Sequence, residues 1–122
     1  MKIIELFDIY NFHDSLLESA EYLPEEKKLV LDIDFCLWQQ DDYCSDMPET
    51  EMLRIVFSGV SAFYMPEYHM NSDQIIDVKV CGDKAEITVF NDLSGEDYTL
   101  TVSADSVDIN RRILDNGHWE DK

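Results

Sequence analysis

Apolar and polar residues alternate along several stretches of this chain, a pattern typical of strands that bury one face. Large apolar residues fill every second position between residues 28 and 38: Leu29, Leu31, Ile33, Phe35 and Leu37. We expect residues 15–23 to pair with this strand as a hairpin across the turn 24–27. A helix over 15–23 is the alternative, since Ser15 suits an N-cap and Glu18 stands three residues later, as in a capping box. We favour the strand.

Further strands are predicted in the second half of the chain. Residues 53–57 place apolar side chains on one side and lead to Gly59, which suits a bend or a bulge. The clearest hairpin joins residues 75–80 to residues 85–90 through a turn that contains Gly82 and Asp83. In the stretch 98–109, Tyr98, Leu100 and Val102 alternate with threonines and Ser103 and predict a strand.

The end of the chain has a different pattern, and residues 110–122 predict a short helix that ends at Asn116-Gly117. Five to seven strands with one or two short helices indicate a mainly β fold, either a single antiparallel sheet or a sandwich-like domain. An α+β arrangement is the alternative. At 122 residues the chain has the length of one domain, and we expect residues 1–122 to form it.

In the composition, the net charge is the feature that says most about possible partners. The formal net charge is −18, from 27 Asp and Glu residues against 9 Lys and Arg residues. Such a charge repels nucleic acid phosphates and anionic membranes, and it attracts basic proteins. Because 45% of the residues are hydrophobic and 11% are aromatic, we expect a folded chain despite the charge. A direct nucleic-acid binder and a membrane protein are therefore disfavoured.

The cysteines and the apolar runs indicate a cytoplasmic protein. No apolar run is long enough for a signal peptide or a membrane span. Cys36, Cys44 and Cys81 show no CxxC spacing, which suits reduced thiols. We expect Cys36 and Cys81 to be buried in strands and Cys44 to be exposed.

The segment "WQQDDYCSDMPETEM", residues 38–52, is the strongest candidate for a functional site. Between Lys28 and Lys79 the sequence has Arg54 as its only lysine or arginine, so little nearby charge compensates these acids. An EF-hand needs a central glycine, whereas this segment has none and contains Pro48, so we predict no metal site and no cofactor. The remaining alternatives are a solvated loop and a contact surface for a basic protein. The predicted contact residues are the acids Asp41, Asp42, Asp46, Glu49 and Glu51, with Trp38 and Tyr43 as aromatic anchors.

A second acidic patch follows from the predicted pairing of the first two strands. If Ala20 and Tyr22 lie on the buried face, the opposite face carries Glu21, Asp32 and Asp34. Like charges that face each other across strands are destabilising, so this face is a second candidate for binding a cationic partner. An ordinary solvated face is the alternative in a chain this acidic.

The tripeptide "HDS", His13 to Ser15, superficially suggests a hydrolytic triad. Such triads are assembled from separated positions, and adjacent side chains of an extended chain point in opposite directions. We therefore predict no catalytic residues and expect a turn or cap at this tripeptide.

The stretches "FHDSLLESAEYLPEEKKLVLDIDFCLWQQ" and "LRIVFSGVSAF", within residues 10–63, resemble small uncharacterised bacterial proteins. Some of these are similar to immunity proteins of polymorphic toxin and contact-dependent inhibition systems. The resemblance implies a cytoplasmic inhibitor that binds a cognate toxin domain, often a basic nuclease, without chemistry of its own. A regulatory module that mimics DNA and a small metal-binding protein are the alternatives.

Overall fold

A computed structural model of the chain describes residues 1–37, 40, 44–46, 50–66, 73–91 and 94–110. These residues form one short helix and eight strands. The elements are α1 (Ile3–Ile9), β1 (Leu16–Leu23), β2 (Lys28–Cys36), β3 (Thr50–Ser58), β4 (Ala62–Tyr64), β5 (Asp73–Cys81), β6 (Lys84–Asn91), β7 (Glu96–Ser103) and β8 (Ser106–Asn110).

The strands form a single antiparallel sheet in the order β4-β7-β6-β5-β1-β2-β3-β8. The expectation of a mainly β, antiparallel fold is thereby confirmed, although the eight strands exceed the predicted five to seven. The helix predicted at the C-terminus lies beyond Asn110, outside the described residues.

Residues 16–23 form a strand, so the helical alternative for this segment is wrong. β1 pairs with β2 from Leu16↔Asp34 to Leu23↔Lys28, with one irregularity between Leu17 and Ser19. Ser15 and Glu18 do not start a helix here, because β2 gains a paired neighbour on this side only if β1 is extended.

The hairpin predicted around Gly82 is also confirmed. Cys81 pairs with Lys84, which leaves Gly82 and Asp83 as the two residues of the turn, and Gly82 has a φ of 62°. A left-handed φ at this position suits glycine, which has no Cβ. The expectation that Cys81 is buried is wrong, because it occupies the last pair of the hairpin, where it is exposed. Cys36 is buried and Cys44 is exposed, as predicted.

Two corners carry the chain between distant parts of the sheet. The first lies at Gly59 (φ 67°) between β3 and β4. The second lies at Ala104-Asp105 and divides the single strand predicted over residues 98–109 into β7 and β8. At this corner the backbone N–H of Asp105 donates to the carbonyl of Ser58 at 3.0 Å. Consequently β8 leaves β7 and pairs with β3.

The core lies on one face of the sheet, and α1 packs against it. Ile3 and Leu6 of α1 are 1% and 0% exposed, and the backbone N–H of Lys2 donates to Glu5 Oε1 at 2.8 Å at the start of the helix. A cluster of aromatic rings joins the chain after α1 to β2. The centroid of the Phe35 ring lies 5.1 Å from that of Phe12 and 5.8 Å from that of Tyr10. Among the described residues, no helix has the length and apolar composition needed to span a membrane.

Candidate functional site

The outward face of β1, β2, β3 and β8 holds the acids of the predicted second patch. Because side chains alternate between the faces of a strand, the residues between Leu29, Leu31, Ile33 and Phe35 point away from the core. The register aligns them in rows across the four strands. The rows are Glu21, Val30, Val56 and Asp108, then Ser19, Asp32, Arg54 and Asn110, then Leu16, Asp34 and Met52. Glu21, Asp32 and Asp34 therefore share one face, as predicted.

Asp32 and Arg54 form an ion pair in the middle of this face. Arg54 Nε donates to Asp32 Oδ1 at 2.8 Å, the terminal guanidinium nitrogen donates to Oδ2 at 3.0 Å, and Ser19 Oγ donates to Oδ2 at 3.2 Å. The pKa of Arg54 is raised, first by the hydrogen bond to Asp32 and further by the charges of Asp32 and Glu21, which outweigh partial burial. Asp32 is thus already satisfied within the protein, and Arg54 remains charged.

In the described part of the chain, the other acids of this face form no ion pair of this kind, although the charge of Glu21 does act on Arg54. Among the described residues, no lysine or arginine forms an ion pair with Glu21, Asp34 or Asp108. Glu21 and Asp108 lie in one row with three strand spacings between them, about 14 Å. Val30 and Val56 stand between them and are half-buried. We call Glu21, Asp34, Asp108, Val30 and Val56 the acidic face.

No family model, no curated protein and no solved structure matches this chain. We therefore infer a function from the residues and their geometry.

The acidic segment 38–52 is only partly described. Asp46 is exposed in a turn. Glu51 of β3 is half-buried and lies opposite Phe35, so it is on the core side of the sheet, away from the acidic face. The remaining predicted contact residues lie outside the described residues: Trp38, Asp41, Asp42, Tyr43 and Glu49. In the described part of the chain, no group of three or more His, Cys, Asp or Glu side chains is arranged to hold a metal ion.

The tripeptide "HDS" forms a tight bend, in line with the turn expected there. Asp14 has a φ of 68°, and its carboxylate lies 3.3 Å from His13 Nδ1 and accepts a hydrogen bond from Gln74 at 2.6 Å. The Ser15 hydroxyl is fully buried and accepts the backbone N–H of Cys36 at 2.9 Å. These contacts hold the start of β1 between β2 and β5, and Ser15 serves the fold.

Sequence reasoning missed a buried polar cluster at the start of β5. The Asp73 carboxylate is 0% exposed, and it accepts Asn91 Nδ2 at 2.7 Å on one oxygen and the Tyr98 hydroxyl at 2.6 Å on the other. Burial raises the pKa of Tyr98, and the hydrogen bond to Asp73 and the charge of Asp73 raise it further. Perturbed pKa values often mark active sites. Here the donors come from β6 and β7 and satisfy both oxygens, so the cluster ties three strands together.

The raised pKa of Tyr98 predicts that stability falls in strong alkali. The unfolded chain loses the tyrosine proton around the ordinary pKa of 10.0, whereas folded Tyr98 keeps it to higher pH. The stabilisation is complete below this pH and is lost as the pH rises above it. Urea unfolding from about pH 9 to about pH 11 should show this decline, and Tyr98→Phe should reduce its slope. Tyr64→Phe, at an exposed tyrosine, should retain the parental slope; equal slopes in all three proteins would contradict the assignment.

Proposed function

We propose that this chain is an acidic binding protein that neutralises a basic bacterial toxin by covering the surface with which the toxin holds its substrate. The observation that carries the proposal is the acidic face, where Asp32 engages Arg54 while Glu21, Asp34 and Asp108 form no ion pair with a lysine or arginine among the described residues. Uncompensated carboxylates on one face reduce stability, and a cationic partner relieves that repulsion.

The composition of the acidic face suits a protein contact. Val30 and Val56 offer apolar surface at its centre, with carboxylates at its sides. An apolar centre within a polar rim is the usual anatomy of an interface. The carboxylates would pair with the lysines and arginines that a nuclease uses to hold phosphate. The acids of segment 38–52, with Trp38 and Tyr43, are proposed as an additional contact.

The net charge of −18 supports the same role through kinetics. A large charge opposite to that of the partner steers encounters and raises association rates to about 10⁸ M⁻¹s⁻¹ or more at low salt. An inhibitor that must bind a toxin before it acts benefits from this rate.

A sandwich-like arrangement of the sheet is part of the proposal. β1 and β5 pair through only two residue pairs, Leu16↔Gln74 and Leu17↔Asp73, so the sheet has a narrow junction at its middle. The rings of Tyr22 in β1 and Phe63 in β4 lie 5.0 Å apart although four strand junctions separate the two strands in the sheet. If the sheet folds over at this junction, its two halves enclose the core between them and leave the acidic face outside.

Reversing charges on the acidic face should abolish protection. The test variant carries Glu21→Lys, Asp34→Lys and Asp108→Lys, and the control variant carries the same charge change at the exposed acids Asp83, Glu96 and Asp97 of the other half of the sheet. Each would be co-expressed with the protein encoded in the neighbouring reading frame, and cell growth would be measured. We expect the parent and the control to protect and the test variant to fail, because the reversed charges repel a basic partner.

Thermal melting of both variants separates a binding defect from unfolding. The expected result is folded proteins that differ in protection alone. Equal protection by the test variant and the parent would show that the acidic face is not the contact surface.

A further inference from the structure

The two halves of the sheet meet at a narrow junction between β1 and β5. Their ladder consists of two residue pairs, Leu16↔Gln74 and Leu17↔Asp73. Beyond these pairs β1 continues along β2 and β5 continues along β6, and among the described residues no further pair joins the two strands. Contacts outside so short a ladder therefore matter for keeping β1 beside β5. We call these four residues and Ile75 the seam.

The bend that precedes β1 supplies such contacts. The backbone N–H of Asp14 donates to the carbonyl of Ile75 at 2.9 Å, and the N–H of Ile75 donates to the carbonyl of Ser15 at 2.8 Å. Gln74 Nε2 donates to Asp14 Oδ1 at 2.6 Å. A hydrogen bond to a carboxylate is stronger than one between neutral groups. Because Asp14 and Gln74 come from opposite sides of the seam, their hydrogen bond holds it closed, and we call this pair the latch.

The backbone of Asp14 depends on these contacts. Its φ of 68° lies in the left-handed region, which Asp tolerates better than most residues but which still costs energy for a residue with a Cβ. Such a conformation persists where the surrounding structure fixes it. Here the latch and the two backbone hydrogen bonds to Ile75 do so. When the latch is released, the bend loses part of what holds it in this conformation.

The latch lies at the boundary between solvent and the buried seam. Leu17 and Ile75 are each 1% exposed, whereas the side chains of His13 and Asp14 are 54% and 27% exposed and lie 3.3 Å apart. His13 and Ile75 also line an open groove of about 890 Å³ between α1 and β5. Water therefore reaches the latch from the groove, while the apolar side chains of the seam are packed in the core.

We infer that the latch controls a local opening of the seam in which both halves of the sheet stay folded. Opening breaks the latch, the hydrogen bonds to Ile75 and the two pairs of the β1–β5 ladder. It leaves the longer ladders between β2 and β3 and between β6 and β7 intact. Proteins open locally in such units, with free energies below that of global unfolding. The acidic face lies on one side of the seam, so this inference does not depend on the proposed function.

Native-state amide hydrogen exchange of the full chain tests the inference, with the Ile75 amide as the reporter of the seam. In the parent we expect this amide to exchange through local opening, at a rate that changes little at low urea concentrations. Amides of the central strands β2 and β6 should exchange more slowly and with the full urea dependence of global unfolding.

Releasing the latch should accelerate exchange of the reporter. Asp14→Gly removes the carboxylate and keeps the left-handed backbone, which glycine adopts readily because it has no Cβ. We expect Ile75 to exchange about tenfold faster, as expected for the loss of a hydrogen bond to a charged group. Gln74→Leu should have the same effect. The double variant should exceed either single variant by no more than about twofold, because all three lack the same hydrogen bond.

Lys27→Gly is the matched control. Lys27 also has a left-handed φ, 53°, but it lies in the turn between β1 and β2, at the far end of β1 from the seam. It should leave Ile75 exchange within about twofold of the parent.

The inference is overturned if Ile75 of the parent exchanges with the rate and the urea dependence of the central strands. It is also overturned if Asp14→Gly and Lys27→Gly accelerate Ile75 equally, or if the effects of Asp14→Gly and Gln74→Leu multiply in the double variant. The urea dependence of the parent decides whether the seam opens locally even if a variant does not fold.

Discussion

Replacing Phe35 with alanine is expected to lower the free energy of unfolding by about 3–5 kcal/mol. Phe35 is 0% exposed, and its ring contacts those of Phe12 and Tyr10, which belong to the segment after α1. The substitution therefore removes buried apolar surface and also opens a cavity where the N-terminal segment meets β2. Urea denaturation followed by circular dichroism would measure the loss.

Tyr64→Ala is the matched control for Phe35→Ala. Tyr64 also has an aromatic ring on a strand, but it is 64% exposed, so its removal should change stability by no more than about 0.5 kcal/mol. A loss below about 1 kcal/mol for Phe35→Ala would mean that the ring cluster does not anchor the N-terminal segment.

The second large effect is expected from Asp73→Ala, which should lower the free energy of unfolding by about 2–4 kcal/mol. Without the carboxylate, Asn91 Nδ2 and the Tyr98 hydroxyl both lose their hydrogen bond to Asp73. Asn91 is 1% exposed, so its amide cannot turn to water without moving the chain. Asn91 Oδ1 also accepts the backbone N–H of Ser94 at 2.8 Å, so the turn between β6 and β7 should loosen as well.

Asp77→Ala makes the same substitution on the same strand at an exposed position and should cost no more than about 0.5 kcal/mol. Amide hydrogen exchange gives a second measurement, since Asp73→Ala should speed exchange at Ser94 and Gly95 more than in β2. Equal stability of the Asp73→Ala and Asp77→Ala proteins would contradict a structural role for the buried cluster.

The parts of the fold that depend on neighbouring residues could be predicted from the sequence. The hairpin of β5 and β6 is an example, because its alternation and the Gly82-Asp83 turn lie within one short stretch. α1 was missed although Ile3, Leu6, Phe7 and Tyr10 have helical spacing. At seven residues it is short, and packing against the sheet stabilises it more than its own sequence does.

The position of β8 could not be predicted in the same way. Apolar residues stand at even positions from Tyr98 to Ala104 and at odd positions in Val107 and Ile109, so the pattern breaks at Asp105-Ser106 and indicates the corner. What the pattern does not show is that β8 pairs with β3, whose Ser58 carbonyl accepts the backbone N–H of Asp105 although the two residues are far apart in the chain. Pairing between distant segments depends on the whole sheet, and local pattern does not specify it.

The candidate site shows the same limit. Alternation predicted that Glu21, Asp32 and Asp34 share a face, and the register confirms it. Asp32 reaches Arg54 because β2 pairs with β3, which places the two residues opposite each other. Asp108 joins this face because β8 pairs with β3. The sequence thus predicts which acids share a face within one hairpin, but the tertiary fold decides which of them are neutralised.

The most direct test of the proposed function is the association rate constant with the protein encoded in the neighbouring reading frame, measured by stopped-flow fluorescence. Raising the ionic strength from about 0.01 M to about 1 M shortens the screening length from about 30 Å to about 3 Å. We expect the rate constant to fall at least about tenfold over this range, because screening removes the attraction between the opposite charges. We also expect the variant with Lys in place of Glu21, Asp34 and Asp108 to associate slowly even at low salt. A rate constant that is independent of salt and the same in parent and variant would contradict the proposal.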